Sequence, residues 1–421
     1  MDQYKKILDL INSQEKWRSS CLNMIASENI ISESVRRAIS SDFEHRYAEG
    51  LLGGKNRDGI QIFNRFYQGT KFFDQIEAIA INLSEKLFNA EHANVVPISG
   101  VVANLTAFYA LTKFGDLVSG LSIPCGGHIS HTRVSACGVM GLREIHYPFD
   151  NEEMNIDVDK TKKLLLEKKP RLMIFGGSLF LFPHPLKEMR EVADEINAVI
   201  MYDGAHVFGL IAGGRFQNPF AEGADILTSS THKTFPGPQG GIVLCKEKFK
   251  EKIDNSAFPG LTSNHHLHHV AGYAIALTEM MEFGREYAKQ TVSNSKSLAQ
   301  FLYENGFDVL CEHKGFTESH QIAVDVSKLG GGREVAEKFE QANIIINKNL
   351  LPWDSMKMTE NPSGIRIGTQ EVTRIGMKES EMKEIAEFMK RVCIDKEDPE
   401  RVKRDVIELR KDFQKVGYCF D

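Results

Sequence analysis

Val199-Ile200-Met201-Tyr202-Asp203-Gly204-Ala205-His206 is the stretch that decides the fold class. Its first four residues are apolar and β-prone, with no polar alternation, as in a strand covered on both faces; Asp-Gly then ends the run. Leu172-Met173-Ile174-Phe175 upstream and Gly241-Ile242-Val243-Leu244 downstream have the same character. Polar and charged helical stretches separate these runs. The alternation predicts an α/β chain with a mainly parallel sheet and helices on both sides. Ligands of such sheets gather at the carboxyl ends of the strands, which is where Asp203 and His206 fall.

Working outward, Ala93-Asn94-Val95-Val96-Pro97 reads as another strand, followed by Ser99-Gly100 and a helical run through Ala110. Before it, Ile76, Ile79, Ala80, Leu83 and Leu87 recur at helical spacing, which predicts an amphipathic helix from Asp74 to Asn89 with Asp74 as its N-cap. The composition changes after Gly260, and a helix is expected from near Ala271 past Glu286. A second α/β unit follows, with Ile322-Ala323-Val324-Asp325-Val326 and Ile344-Ile345-Ile346 as strands, and the final stretch, 382–421, is charged and helical in pattern. The expected organisation is an N-terminal arm (1–45), a large domain (46–275) and a smaller C-terminal α/β domain (276–421).

The bulk properties are those of an ordinary globular chain: 421 residues, 42% hydrophobic, with 51 basic against 57 acidic side chains and a net charge of -6. This balance gives no reason to expect nucleic acid or an anionic membrane as the main partner. No apolar run approaches the roughly 20 residues of a membrane span, and the N-terminus lacks the pattern of a secretory signal. The seven cysteines are scattered, odd in number and without a CxxC pair, so reduced thiols of a cytoplasmic protein are expected rather than disulfides or a zinc site.

The strongest chemical signal is Thr228-Ser229-Ser230-Thr231-His232-Lys233-Thr234, followed by Gly237-Pro238-Gln239-Gly240-Gly241. A partly desolvated, oriented lysine amine forms a Schiff base with an aldehyde cofactor, and neighbouring hydroxyls and an imidazole can position both. Asp203 can pair with a protonated pyridine nitrogen and so make the ring a better electron sink. Ser99-Gly100, between a strand and a helix, offers backbone N–H groups and a hydroxyl to a phosphate. His128, in Gly126-Gly127-His128, can stack on a ring. Arg366, in Ser363-Gly364-Ile365-Arg366-Ile367-Gly368-Thr369, can hold a carboxylate through two parallel hydrogen bonds.

These motifs, in this order, resemble the serine hydroxymethyltransferase family over nearly the whole chain. The resemblance begins at Ile25-Ala26-Ser27-Glu28-Asn29 and Arg46-Tyr47-Ala48-Glu49-Gly50. It runs through the motifs above and Asn347-Lys348-Asn349, and ends at Ser363-Gly364-Ile365-Arg366 and Thr373-Arg374. Gly100-Val101-Val102-Ala103-Asn104 and His232-Lys233-Thr234-Phe235 are closest to the archaeal branch. The resemblance implies a fold-type I pyridoxal-phosphate enzyme, working as a homodimer on serine and glycine with a reduced pterin as one-carbon carrier. It makes Lys233 the Schiff-base lysine, pairs Asp203 with the ring nitrogen and stacks His128 on the ring. Ser99, Gly100 and Val101 would hold the phosphate, with Ser178, His206, Ser230 and His232 nearby. Ser27 and Arg366 would bind the substrate carboxylate. Tyr47 and Glu49, with the backbone around Gly260-Leu261, are implied to come from the neighbouring subunit. Glu49 matches an acid–base glutamate that burial could keep protonated, and Tyr67 an active-site tyrosine. Phe66, Ile123, Gly127 and Asn349 match positions around the pterin.

The chain departs from the family pattern at its active-site mouth. Leu51 to Asn64 replaces a short link and carries about nine extra residues, a length that a surface loop absorbs at modest entropic cost. Phe66 stands where the family has a tyrosine, Gln239 where it has an arginine, and Leu261-Thr262-Ser263-Asn264 where it has a glycine-rich segment. These changes spare the cofactor motifs and bear on the carrier. A pterin-independent enzyme on amino acids, whether an aldolase of β-hydroxy amino acids, a transaldolase or a racemase, is the alternative. The cluster His265, His266, His268, His269 has metal-like spacings, yet His268 matches a family histidine without a metal role, so no metal is expected.

Overall fold

Apolar β-branched runs flanked by amphipathic helices fold as the sequence pattern requires, and the computed structural model describes residues 2–421. In chain order the strands used below are β1 (Gly50–Lys55), β2 (Gln61–Arg65), β3 (His92–Asn94), β4 (Leu117–Gly120), β5 (Arg143–His146), β6 (Leu172–Gly176), β7 (Val199–Asp203), β8 (Ile226–Ser230) and β9 (Gly241–Cys245). They continue with β10 (Asp308–Val309), β11 (Gln321–Asp325), β12 (Asn347–Asn349) and β13 (Gly364–Gly368). The helices used below are α1 (Lys71–Phe88), α2 (Gly100–Leu111) and α3 (Leu267–Glu304).

Two compact units form. One comprises Asn29–Lys289 with Tyr418–Asp421, the other Met1–Glu28 with Gln290–Gly417. The stretch 1–45 is thus shared between them, and their boundary on the C-terminal side lies inside α3.

The first unit carries a seven-stranded sheet in the order β3-β9-β8-β7-β6-β4-β5. The pairs β8–β7, β7–β6, β6–β4 and β4–β5 are parallel, and β9 runs antiparallel to both of its neighbours. Strands β6 to β9 are buried at every residue, which is why they read as unbroken apolar runs. Ala103, Ala107, Phe108 and Leu111 on α2 pack against Val118, Ile174, Met201, Ile226 and Val243 of the sheet. Each large side chain so buried contributes about 1.5–3 kcal/mol, and this face sets the start of α2 at the strand ends. Gly241 allows that approach: a Cβ there would lie 2.2 Å from the Ser99 carbonyl oxygen.

Three expectations change in detail. The amphipathic helix begins at Lys71 with Thr70 at the cap position. Asp74 is inside the first turn and accepts from Arg65 Nε at 2.8 Å and Thr70 Oγ1 at 2.9 Å, an ion pair no periodicity argument contains. The segment 51–64, expected as an enlarged surface loop, is a hairpin: β1 and β2 pair antiparallel, with Gly50 opposite Arg65 and Leu52 opposite Phe63. Its base is latched by Arg65, which donates to Glu77 at 2.7 Å and to the Ala48 carbonyl at 2.6 Å. Finally, α3 starts at Leu267, so His268 and His269 lie in its first turn. The imidazoles of His266, His268 and His269 pack on one another, with centroids 4.3–5.6 Å apart.

The second unit holds a four-stranded antiparallel sheet in the order β10-β11-β13-β12. Leu22–Asn23 pairs in parallel with Ile344–Ile345. Among the described residues, no helix is long and apolar enough to cross a membrane.

Candidate active site

Lys233 follows β8 in the connection 231–240 that returns the chain to β9. Both ends of this connection are fixed. The Thr231 N–H donates to the Gly240 carbonyl at 3.3 Å, and Thr231 Oγ1 to the Pro238 carbonyl at 2.7 Å. Asn29 Nδ2 donates to the Lys233 carbonyl at 2.7 Å, and Thr234 Oγ1 to the His206 carbonyl at 2.8 Å. The hydroxyls of the motif therefore serve partly to hold backbone.

Lys233 opens onto a cavity of about 240 Å³ at the carboxyl ends of the strands. Ser99, Gly100, Val101, His128, Asp203, His206, Ser230 and His232, expected from the sequence, also line it. Ser99 caps α2, its Oγ accepting from the Val102 N–H at 3.2 Å. Asp203 is the last residue of β7 and is buried. Its Oδ2 accepts from Asn104 Nδ2 at 2.8 Å and His131 Nε2 at 2.9 Å, and its Oδ1 from the Ala205 N–H at 3.1 Å. Burial opposes its charge, but the hydrogen bond and charge of His131 prevail and hold the carboxyl well below the usual carboxylate range. His232 is pushed down to about 4 by burial and by the charge of Lys233, so its imidazole is neutral beside the amine. The donor atoms of His128, His131 and Asp203 lie within 4.8 Å of one another, but the hydrogen bond between His131 and Asp203 already occupies two of them.

The polar atoms of this cavity fit pyridoxal phosphate. Ser230 Oγ is buried without a hydrogen-bond partner among the described residues, as is His232 Nδ1. The first N–H groups of α2 have no acceptor within the helix. A Cβ at Gly100 would crowd Ser230 Cβ at 3.2 Å, so the glycine keeps the space beside these donors open. An anion suits that end, a protonated ring nitrogen suits Asp203, and an aldehyde suits Lys233.

The remaining residues lie elsewhere. Ser178 adjoins the cavity through Gly177 and is tied back by its N–H to the Gly126 carbonyl at 2.6 Å. Gly127 is buried and Ile123 half-buried in the segment leading to His128. Tyr47, Phe66 and Tyr67 do not line the cavity; they are 53%, 66% and 42% exposed, with the two tyrosine rings 5.3 Å apart. Glu49 is half-buried rather than buried and accepts from Ser263 Oγ at 2.5 Å. Gly260 and Leu261 are exposed in the turn after Phe258. Ser27, Asn349 and Arg366 belong to the second unit. Arg366, on β13, is buried; its Nε donates to Asn347 Oδ1 at 3.2 Å, and burial pushes it down to about 10. The segment of Ser27 is strapped to that strand, the Gly368 N–H donating to the Met24 carbonyl and Gln370 Nε2 to that of Ile25, both at 2.8 Å. Sequence reasoning missed Asn104 and His131. Both were signalled by spacing, Asn104 lying one helical turn beyond Gly100 and His131 three residues beyond His128.

The serine hydroxymethyltransferase family model matches residues 1–389. The chain belongs to the serine hydroxymethyltransferase family. Among relatives bearing that name, the protein of Methanocella arvoryzae is 57% identical over 418 residues, covering 99% of this chain and 96% of its own. That of Methanocaldococcus jannaschii is 57% identical over 424 residues, covering 100% and 96%. A crystal structure of L-threonine transaldolase from Pseudomonas fluorescens superposes with a TM-score of 0.89 at 29% identity, covering 100% of this chain and 95% of that one. Family and neighbour together establish the expected fold class, a fold-type I α/β transferase.

Proposed function

We propose that this chain is a pyridoxal-phosphate-dependent serine hydroxymethyltransferase that interconverts serine and glycine, with a reduced pterin, tetrahydrofolate or tetrahydromethanopterin, as one-carbon carrier. The observation that carries the reading is one cavity lined by Lys233, Asp203, His128 and the Ser99-Gly100 helix start, in a chain of this family. Pyridoxal phosphate supplies an aldehyde that takes up amines and a ring that accepts the electrons released when a bond at an amino acid's Cα breaks.

The chain's own residues orient and charge that group. Lys233 offers the amine. Asp203 keeps a proton on the ring nitrogen, and His128 covers the ring face. Ser99, Gly100, Val101 and Ser230 receive the phosphate, with Ser178, His206 and His232 around the ring substituents. Arg366 and Ser27 grip the carboxylate of serine, and Glu49 exchanges a proton at the hydroxymethyl oxygen, assisted by Tyr67. Phe66, Ile123, Gly127 and Asn349 border the pterin. Tyr47, Glu49, Tyr67, Gly260 and Leu261 act in the cavity of a second copy in a homodimer; that they stand outside the lining of their own cavity supports this assignment. The protein works in the cytoplasm.

A second reading, pterin-independent chemistry on β-hydroxy amino acids, is favoured by the transaldolase likeness and the altered mouth at Phe66 and the hairpin. Glycine formation from serine, measured with each reduced pterin and with none, and with allo-threonine as control, separates the two. Strong stimulation by one pterin is expected; indifference to all of them transfers the chain to the second reading.

A further inference from the structure

One side chain touches Asp203 directly and His128 through a single intermediary, although the charge pattern does not single it out. Asn104 is buried on the first turns of α2. Its Nδ2 donates to Asp203 Oδ2 and to Ser130 Oγ, each at 2.8 Å, while its Oδ1 accepts from Thr228 Oγ1 at 2.6 Å. Ser130 Oγ in turn stands 2.7 Å from His128 Nδ1, and the Ser130 N–H approaches the same nitrogen at 3.2 Å. Ser130 and Thr228 are buried as well.

The direction of every proton in this chain follows from Asp203. Its carboxylate is held ionised and can only accept. The Asn104 face toward it must therefore be the NH2, since the reversed amide would set two acceptors against each other. That choice turns Oδ1 to Thr228, whose hydroxyl must donate. The second amide hydrogen goes to Ser130 Oγ, which frees the Ser130 hydroxyl hydrogen for His128 Nδ1. With a backbone N–H directed at the same nitrogen, Nδ1 is an acceptor and the ring proton lies on Nε2.

We propose that Asn104 is a positioning residue whose amide, oriented by Thr228, fixes the Asp203 carboxylate and, through Ser130, holds His128 as the neutral Nε2-protonated tautomer. This rests on reading the cavity as the site of pyridoxal phosphate, but the proton arrangement belongs to the protein alone. The coupling has a use. The group that charges one edge of the ring and the group that covers its face are set by one amide, so neither can reorient without the other.

The test uses full-length protein carrying nitrogen-15 histidine, with His128→Gln to assign the signal. Long-range proton–nitrogen NMR of the cofactor-free protein reads the tautomer directly. Wild type is expected to show His128 protonated at Nε2. Ser130→Ala removes the hydroxyl arm to His128 and leaves the backbone N–H in place; it should lower, without abolishing, the Nε2-protonated share while leaving the pH dependence of the visible absorption of the loaded protein unchanged. Asn104→Ala cuts both arms; it should change the tautomer, shift that pH dependence and weaken pyridoxal phosphate binding about tenfold to a hundredfold. Thr228→Val should reproduce the Asn104 phenotype in weaker form and decides the matter if Asn104→Ala does not fold. An unchanged His128 tautomer in folded Ser130→Ala, or an unmoved pH dependence in folded Asn104→Ala or Thr228→Val, overturns the proposal. Failure of wild type to develop a visible band with pyridoxal phosphate would instead refute the cofactor reading and leave the tautomer result standing.

Discussion

His131 Nε2 stands 2.9 Å from Asp203 Oδ2, and both side chains are buried. The imidazole is what lets a carboxylate stay ionised where burial alone would protonate it. Replacing His131 by Phe removes that support, so the Asp203 carboxyl should climb toward the usual carboxylate range. The carboxylate works when deprotonated, so the acid limb of the rate profile moves toward neutral pH. Asp203→Asn should lower turnover about 10²- to 10³-fold, the scale of losing one preorganised charge, while Lys233 still takes up the cofactor. Rate–pH profiles of both variants check this.

Arg366→Lys keeps the charge and loses the planar fork. Losing one charged hydrogen bond costs about 1.5–3 kcal/mol, so KM for serine should rise roughly 10- to 150-fold with a smaller change in kcat. Steady-state kinetics with serine varied at saturating carrier separates the two parameters; an unchanged KM would remove Arg366 from the carboxylate site.

Arg65→Met should destabilise the chain by about 3–5 kcal/mol, because it leaves the buried Glu77 carboxylate with only His265 beside it. Glu77 is held below its ordinary value: burial opposes its charge, while His265 and Arg65 together prevail. A lowered carboxyl stabilises the fold above its unfolded pKa of 4.5 and loses that contribution as pH falls through the folded value. Urea titrations at neutral and acidic pH should show the loss in Arg65→Met to be largest at neutral pH.

Glu371 in the second unit behaves in the opposite sense. Burial pushes it up from 4.5 to about 7, against a hydrogen bond from Asn23 Nδ2 at 2.8 Å. Its folded value exceeds the unfolded one, so it favours the fold below about 4.5 and progressively costs stability as pH rises to about 7. Glu371→Gln should therefore stabilise the protein at pH 8, on the order of 3 kcal/mol, and little at pH 5. Denaturation curves at the two pH values check the difference.

Much of the fold and of the cofactor end of the site was legible in the sequence, for identifiable reasons. Buried strands are short unbroken apolar runs, so β6, β7 and β9 could be read to within a residue of their observed ends. Lys233, Asp203 and Ser99 sit at strand or helix ends, where sequence and geometry coincide. Periodicity names faces and not partners, so the pairing of Arg65 with Asp74 and Glu77 and the Asn104–Asp203 bond could not be read, although spacing places Asn104 one turn beyond Gly100. The hairpin 50–65 was read as a loop because glycines and charges interrupt its alternation. The antiparallel sense of β9 leaves no trace in an apolar run.

That reversed strand has a consequence for how the scaffold can change. Because β8 and β9 are neighbours of opposite sense, the connection carrying Lys233 leaves and re-enters the sheet at one edge, cross-braced between Thr231 and Gly240. It is a clasp closed at both ends, so the amine's aim is set by the backbone and is insulated from what happens at the rim. Side chains around the cavity can therefore change while the reacting nitrogen keeps its place.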